Sequence, residues 1–470
     1  MKREKLEQAL EQISDDHIAE ASRGKKRRKL PWLGAAAAVL ALVLVFRFVD
    51  IPMAIAAEVI STSSEPRITE RPDFDNYASR EEWLRALDSW TVARDARDSM
   101  VSDALSQMLP FLQASCQEFL SGNSNQLYSP INAYIGLAMT AEVTAGQTRQ
   151  QLLDVLGCRD LPDLRGQTAA LWENTYQDDG NEICTLASAL WLDESVACKQ
   201  APMDILAQDY YASVYRQDLS SQRAVKDIRA WLNNNTGGLL ESAVQEIQLP
   251  PEAVLALYST IYFQAKWSDE FQAANNTQDT FHGLSGNTTA TFMNKKLNQM
   301  YYYWGESYGA VSLSLKNNST MWFILPDEDK SISQVLAEGE FLDMIITPWS
   351  ERENVQYMKV NLSVPKFDIQ TSRNLRGGLE NMGITDLFQY GQADFSEAFE
   401  APVFMTAANQ AVRVKIDEQG VKAAAYIELP AAGAPMPPEE IIDFILNRPF
   451  LFVIAGNGGI PLFAGAVNGL

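Results

Sequence analysis

The sequence predicts an α+β domain with large sheets, set behind a single membrane-crossing helix. Three observations carry this. Helical periodicity dominates the first part of the globular region and strand periodicity the rest. An uncharged 17-residue run, Leu30–Phe46, follows directly on Lys25-Lys26-Arg27-Arg28-Lys29. At 470 residues, 46% of them hydrophobic, the chain can bury the core of one large domain or two smaller ones.

Residues 1–29 read as a cytoplasmic tail. Leu6, Ala9, Leu10, Ile13 and Ile18 make an apolar helical stripe among charges. Residues 30–49 read as a transmembrane signal-anchor, because about 20 apolar residues span the bilayer core. Arg47 near its end can snorkel to the interface. The basic cluster places the N-terminus in the cytoplasm and the remainder outside. A cleaved signal peptide is the alternative, with a small-x-small site near Ala56 giving a secreted protein. The long basic region and the span-length run favour the anchor, and both readings export the body.

Residues 50–100, rich in Ser, Asp, Glu and Arg, read as an extracellular stalk. Trp83, Leu84, Leu87 and Trp90 suggest one short helix within it. The domain proper spans 101–470. Helices are expected at Phe111–Leu120, Ile131–Thr140 and Thr148–Leu156. Strands are expected at Thr185–Leu192, Leu255–Phe263, Ala310–Leu315, Met321–Leu325, Lys359–Gln370, Ala411–Ile416 and Phe450–Ile454.

One stretch answers to two structures. From Gly420 to about Pro438 the chain is poor in large apolar residues, which suits an exposed loop. Yet Val421, Ala423, Ala425, Ile427 and Leu429 alternate with Lys422, Ala424, Tyr426, Glu428 and Pro430, which suits a half-buried strand. A segment that reads as both loop and strand is suited to being each in turn.

Composition excludes several functions. Net charge is −22, with nine Lys/Arg against six Asp/Glu in residues 1–30 and 29 against 54 beyond. An acidic body does not fit nucleic acid. His17 and His282 are the only histidines, so a Ser-His-Asp site or a histidine metal site has no material. Cys116, Cys158, Cys184 and Cys198 show no Cys-x-x-Cys spacing and read as single buried thiols. No catalytic residue, metal ligand or cofactor site is expected.

Across residues 101–470, several segments in order carry a resemblance. They are Asn125-Gln126-Leu127-Tyr128-Ser129-Pro130-Ile131, Gly146-Gln147-Thr148, Ala189-Leu190-Trp191-Leu192, Trp231-Leu232 with Thr236-Gly237-Gly238, and Ile261-Tyr262-Phe263 with Trp267 and Phe271. Pro365-Lys366-Phe367, Ala393-Asp394-Phe395-Ser396, Glu418-Gln419-Gly420, Ala423-Ala424-Ala425, Arg448-Pro449-Phe450 and Phe463-Ala464-Gly465 complete them. Joint order over about 370 residues makes the chain similar to serpins. The layout suggests a bacterial, membrane-anchored member at the cell surface.

The resemblance implies the serpin fold: three β-sheets, eight or nine helices and an exposed reactive-centre loop. It implies suicide inhibition of a serine protease through a covalent acyl complex, the cut loop inserting as a new strand. It assigns the hinge to Glu418, Gly420, Val421, Ala423, Ala424 and Ala425. It assigns a sheet-opening cluster to Asn125, Ser129, Pro130, Asn132, Ser259 and Gln410. Three of these depart from the family pattern: Asn132 stands for a usual Ser, Ser259 for Asn and Gln410 for His.

Counting from Glu418 puts the scissile bond at Ala434–Pro435. Counting back from Pro449 lands about four residues later, and Gly433–Ala434 avoids a Pro after the cut. The bond is therefore left open between Gly433 and Met436. Small residues there point to an elastase-like or subtilisin-like target. Glu418 to Ala434 reaches about 53 Å at ~3.3 Å per residue, close to the roughly 54 Å diameter of such a domain. Lys422, at a usually acidic position, and Pro430, which lacks a ladder donor, stand against insertion. The alternative function is a non-inhibitory binding or scaffold protein. The expected partners are the protease and the membrane, with no nucleic acid, for a monomer.

Overall fold

The computed structural model describes residues 55–63, 71–178, 183–240, 245, 247–250, 253–316, 318–421 and 440–470. The tail and span expected at 1–49 lie outside them. Among the described residues no helix is long and apolar enough to cross a membrane.

Three sheets and nine α-helices make up the described fold. The first sheet has strands β1 (Glu58–Ser61), β3 (Gln177–Asp178), β4 (Ile183–Leu192), β5 (Ala212–Arg216), β6 (Leu255–Lys266) and β14 (Gly420–Val421), in the order β1-β5-β4-β6-β14 with β3 on β4. The second runs β15-β11-β8-β9-β10-β16-β17-β2, with β7 on β8. Its members are β2 (Gln126–Tyr128), β7 (Thr277–Gly283), β8 (Gly286–Trp304), β9 (Tyr308–Ser314), β10 (Thr320–Pro326), β11 (Val355–Pro365), β15 (Ile441–Ile445), β16 (Phe450–Ala455) and β17 (Pro461–Val467). The third pairs β12 (Phe367–Asn374) with β13 (Asn409–Ile416).

The helices are α1 (Arg80–Leu120), α2 (Pro130–Val143), α3 (Gly146–Leu156), α4 (Leu161–Thr175), α5 (Gln200–Asp209), α6 (Gln222–Asn235), α7 (Ile332–Glu338), α8 (Glu340–Ile346) and α9 (Arg376–Asn381). Pro130 opens α2, where its missing N–H costs nothing. The helix is apolar nearly all round and almost wholly buried, as such a helix must be. It runs beneath β6 of the first sheet and β17 of the second, inside the main core. A smaller cluster, Trp191, Trp231, Ile228 and Tyr258 among it, joins α6 to the first sheet's other face.

Every strand and helix expected within 101–470 is present, with one difference there and two in the stretch before it. Lys359–Gln370 is not one strand: β11 ends at Pro365 and β12 begins at Phe367, so Lys366 marks a change of sheet. The stretch read as a stalk includes β1, which extends the first sheet at its edge. The short helix suggested at Trp83–Trp90 is the start of α1, which runs 41 residues without a break at residue 100. Trp83 is held at its base, its Nε1 donating to Pro72 O at 3.0 Å and its ring meeting Phe74 edge-on.

Candidate functional site: the hinge and the slot

β13 and β14 are joined by a tight turn built from Asp417 to Gly420. Asp417 N donates to Gly420 O at 3.2 Å, and Gly420 N returns a bond to Asp417 O at 3.3 Å. The Asp417 carboxylate accepts from Gln419 N at 3.0 Å, a common way for Asp to nucleate a turn. Gly420 has φ +138°, and a Cβ there would lie 2.6 Å from both Ala265 O and Lys266 Cα. Only glycine fits that approach of two backbones.

The turn is bolted to the top of β6. Trp267, 1% exposed, donates from Nε1 to Asp417 O at 2.9 Å and from its backbone N to Gln419 O at 3.2 Å. Phe271 N donates to Glu418 O at 3.0 Å. The Glu418 carboxylate accepts from Lys366 Nζ at 2.5 Å and from Asn276 Nδ2 at 2.5 Å. Desolvation alone would push this carboxyl up, but the bonds from Lys366 and Asn276 outweigh it and hold the group below its ordinary 4.5. Lys366 and Asn276 are missed by sequence reasoning. Lys366 reaches Glu418 because the chain changes sheets there, which the local sequence does not reveal.

β14 then lies antiparallel to β6, Gly420 opposite Lys266 and Val421 opposite Ala265. Beyond these two pairs, the described residues place no ladder between β6 and β13. The gap is a slot. A cavity of about 30 Å³ sits in it, lined by Ile261 and Phe263 of β6, Val412 and Val414 of β13, and Ser129. A second, of about 60 Å³, lies further along, lined by Leu257, Ser259, Asn132, Leu137 and Gln410.

The expected sheet-opening cluster is drawn together, apart from Asn125. The Gln410 carboxamide pairs with the Ser129 backbone as a peptide would. Its Oε1 accepts from Ser129 N at 3.0 Å and its Nε2 donates to Ser129 O at 3.0 Å. Ser129 Oγ donates to Leu462 O at 2.6 Å. Asn132 Nδ2 donates to Ser259 O at 2.8 Å, and Ser188 Oγ to Ser259 Oγ at 3.2 Å. Each strand flanking the slot is thus tied separately to the first turn of α2. Asn125 instead clamps the C-terminal residues, its Oδ1 accepting from Asn468 N and Gly469 N and its Nδ2 donating to Gly469 O.

Of the hinge residues, Glu418, Gly420 and Val421 are placed. Ala423, Ala424, Ala425 and the candidate bond at Gly433, Ala434 and Pro435 lie outside the described residues. Past this segment the next strand is β15, parallel to β11. The two ends of this segment are therefore held by different sheets. What such an arrangement offers chemically is a place for one more strand.

A family model described as Serpin (serine protease inhibitor) matches residues 111–469. Plasminogen activator inhibitor 1 of Neovison vison is 29% identical over 361 residues, covering 74% of this chain and 88% of that protein. Serpin-ZX of Arabidopsis thaliana is 25% identical over 370 residues, covering 74% and 93%. Among solved structures, the thermophilic serpin tengpin in its native state aligns with a TM-score of 0.69 at 25% identity, covering 78% of this chain and 94% of that one. The chain belongs to the serpin family.

Proposed function

We propose that this serpin is an inhibitor of serine proteases that acts by loop cleavage and strand insertion. In this reading it is a monomer, held at a bacterial cell membrane by residues 30–49 with its domain outside. Its targets are elastase-like or subtilisin-like, and the trapped protease is held as an acyl complex. Relatives such as plasminogen activator inhibitor 1 are protease inhibitors, and serpin loop insertion is an established case of strand addition.

The observation that carries the reading is the register of Gly420–Val421 on β6. Continued along the slot, it sets Ala423, Ala425, Ile427 and Leu429 opposite Phe263, Ile261, Ser259 and Leu257. Phe263, Ile261 and Leu257 pack on the main core, so the apolar face of the alternation meets the apolar face of the sheet. β6 is 12 residues long, and the twelve residues from Gly420 onward end at Ala431. The segment Gly433–Met436 falls just past the strand's end, free for the acyl link.

Pro430 stops being an objection in this register. In an antiparallel strand alternate residues direct their N–H to alternate neighbours. Val421 bonds toward β6, so Pro430 faces the β13 side, level with Ala407. β13 begins at Asn409, so no ladder acceptor is lost there.

The test uses the full-length chain in detergent, mixed separately with subtilisin and pancreatic elastase. The expected result is an adduct of summed mass that survives denaturing electrophoresis, with a C-terminal peptide beginning between Ala434 and Pro437. Cleavage without the adduct overturns inhibition of those proteases and leaves a serpin-fold binding or scaffold protein.

A further inference from the structure

The turn between β8 and β9 makes room for two aromatic rings. A Cβ on Gly305 would lie 2.3 Å from Tyr308 Cε1 and 2.9 Å from Glu340 Oε2, so glycine is what lets the Tyr308 ring reach Glu340 of α8. A Cβ on Gly309 would lie 2.2 Å from Tyr302 OH, and the Tyr302 ring stacks on Trp304 at 6.2 Å and 23°. Trp304 is held at its backbone as well, its N donating to Asn354 O at 3.2 Å. Its indole is nonetheless 38% exposed.

Trp304 and Tyr308 line a cleft of about 380 Å³ whose other walls carry Glu340, Asp343, Glu351 and Glu353. Among the described residues none of these four carboxylates has an ion-pair partner. Arg352 also lines the cleft but is committed elsewhere. Its Nε donates to Thr347 O at 2.9 Å and its Nη2 to Ile345 O at 3.1 Å, with the guanidinium 4.9 Å from the Trp322 ring. Tyr308 is 3% exposed, and among the described residues its hydroxyl makes no hydrogen bond. A buried hydroxyl without a partner is costly and asks for one. Burial and the carboxylates of Glu340, Glu338 and Asp343 raise its pKa, so it stays neutral with lone pairs free for a donor. A solvated acidic surface accounts for the carboxylates of a chain with net charge −22. It accounts for neither the exposed indole nor the unpaired hydroxyl.

We propose that this cleft binds an arginine side chain presented by a basic segment of a partner protein. The guanidinium stacks on Trp304, donates to Tyr308 OH and pairs with Glu340 and Asp343. Four carboxylates exceed what one guanidinium neutralises, so the segment carries further positive charge beside the arginine. Among the described residues no group of acidic, histidine or cysteine side chains has the geometry to hold a metal, which favours an organic cation. Arginine suits the site better than lysine because its planar fork both stacks and donates several bonds at once. The cleft shares no residue with the slot, so this inference stands apart from the insertion reading.

The test is calorimetric titration of the full-length chain, in neutral detergent at physiological salt, with acetyl-Arg-Gly-Arg-Gly-Arg-amide and with its lysine counterpart. The expected result is one-to-one binding, at least about threefold tighter for the arginine peptide. Trp304→Ala and Tyr308→Phe should each weaken it about fivefold to tenfold, and Glu340→Gln with Asp343→Asn by more than about tenfold. Glu81→Gln with Asp88→Asn, an equal loss of charge on exposed α1, should leave it unchanged. Tyr308→Phe keeps the ring and Trp304 is partly exposed, so melting midpoints close to wild type separate lost contact from lost fold. Arginine and lysine peptides binding alike, or an equal loss in the α1 variant, makes the attraction a diffuse one and overturns the proposal. So does binding untouched by Trp304→Ala and Tyr308→Phe, or no binding at all.

Discussion

Glu418 is a carboxylate under two opposing influences, and the outcome sets a pH dependence. Burial raises its pKa, and the bonds from Lys366 and Asn276 lower it further than burial raises it. A folded value below the unfolded one means stability that is present above 4.5 and lost as pH falls through the lowered folded value. At pH 7, Glu418→Gln should therefore be less stable than wild type by about 1–2 kcal/mol, and the gap should close as pH falls below 4.5 through the lowered folded value. Urea unfolding at each pH measures it; a gap constant with pH would remove the charge from the account. The sequence marks Glu418 and Gly420 because a turn and a glycine leave local signatures. It does not mark Lys366 or Asn276, because they meet Glu418 only through the third dimension. Asn132, Ser259 and Gln410 were legible as polar members of one cluster. Which of them bonds to which was not, since side-chain amides take partners set by neighbouring strands.

Among elements, the joint between α2 and α4 carries the clearest energetic consequence. The Glu142 side chain is 1% exposed and is held by Arg165 in a two-pronged pair, at 2.8 and 2.7 Å, and by Tyr210 OH at 2.8 Å. Arg165→Ala leaves a buried charge without its counter-ion, which should lower unfolding free energy by about 3–5 kcal/mol. The double variant Glu142→Leu with Arg165→Met should recover most of that in the same urea titration. Some of the strands that sequence reasoning missed or merged carry too little apolar pattern to be read. β8 is 19 residues long, but most of it is exposed or half-buried, so no apolar run announces it. β11 and β12 read as one strand because Pro365-Lys366-Phe367 keeps the extended pattern while the chain passes from one sheet to another. β1 is four residues long with two of them exposed, too little pattern to separate from a stalk.

For the whole molecule, the inhibitor reading predicts that cutting the loop makes the protein sturdier. Ten added ladder positions, from Lys422 to Ala431, would bury Ile427 and Leu429 against the core, each worth roughly 1.5–3 kcal/mol. Calorimetry before and after limited proteolysis near Ala434 should show the melting temperature rise by about 10 °C or more. A fall, or no change, would mean that the freed arm stays outside the sheet.

In the inhibitor reading, Gly420 and Val421 give insertion an unusual kinetic character. Forming a strand in a sheet normally has an unfavourable nucleation step, the ordering of several residues before the first bond forms. Here the nucleus is part of the resting fold: the turn is closed, the register is chosen and the first pairs on β6 exist. What remains is propagation, one pair of residues after another, from a fixed starting point and in one direction. The speed of the process is then governed by the earliest obstruction along the track and hardly at all by the search for where to begin.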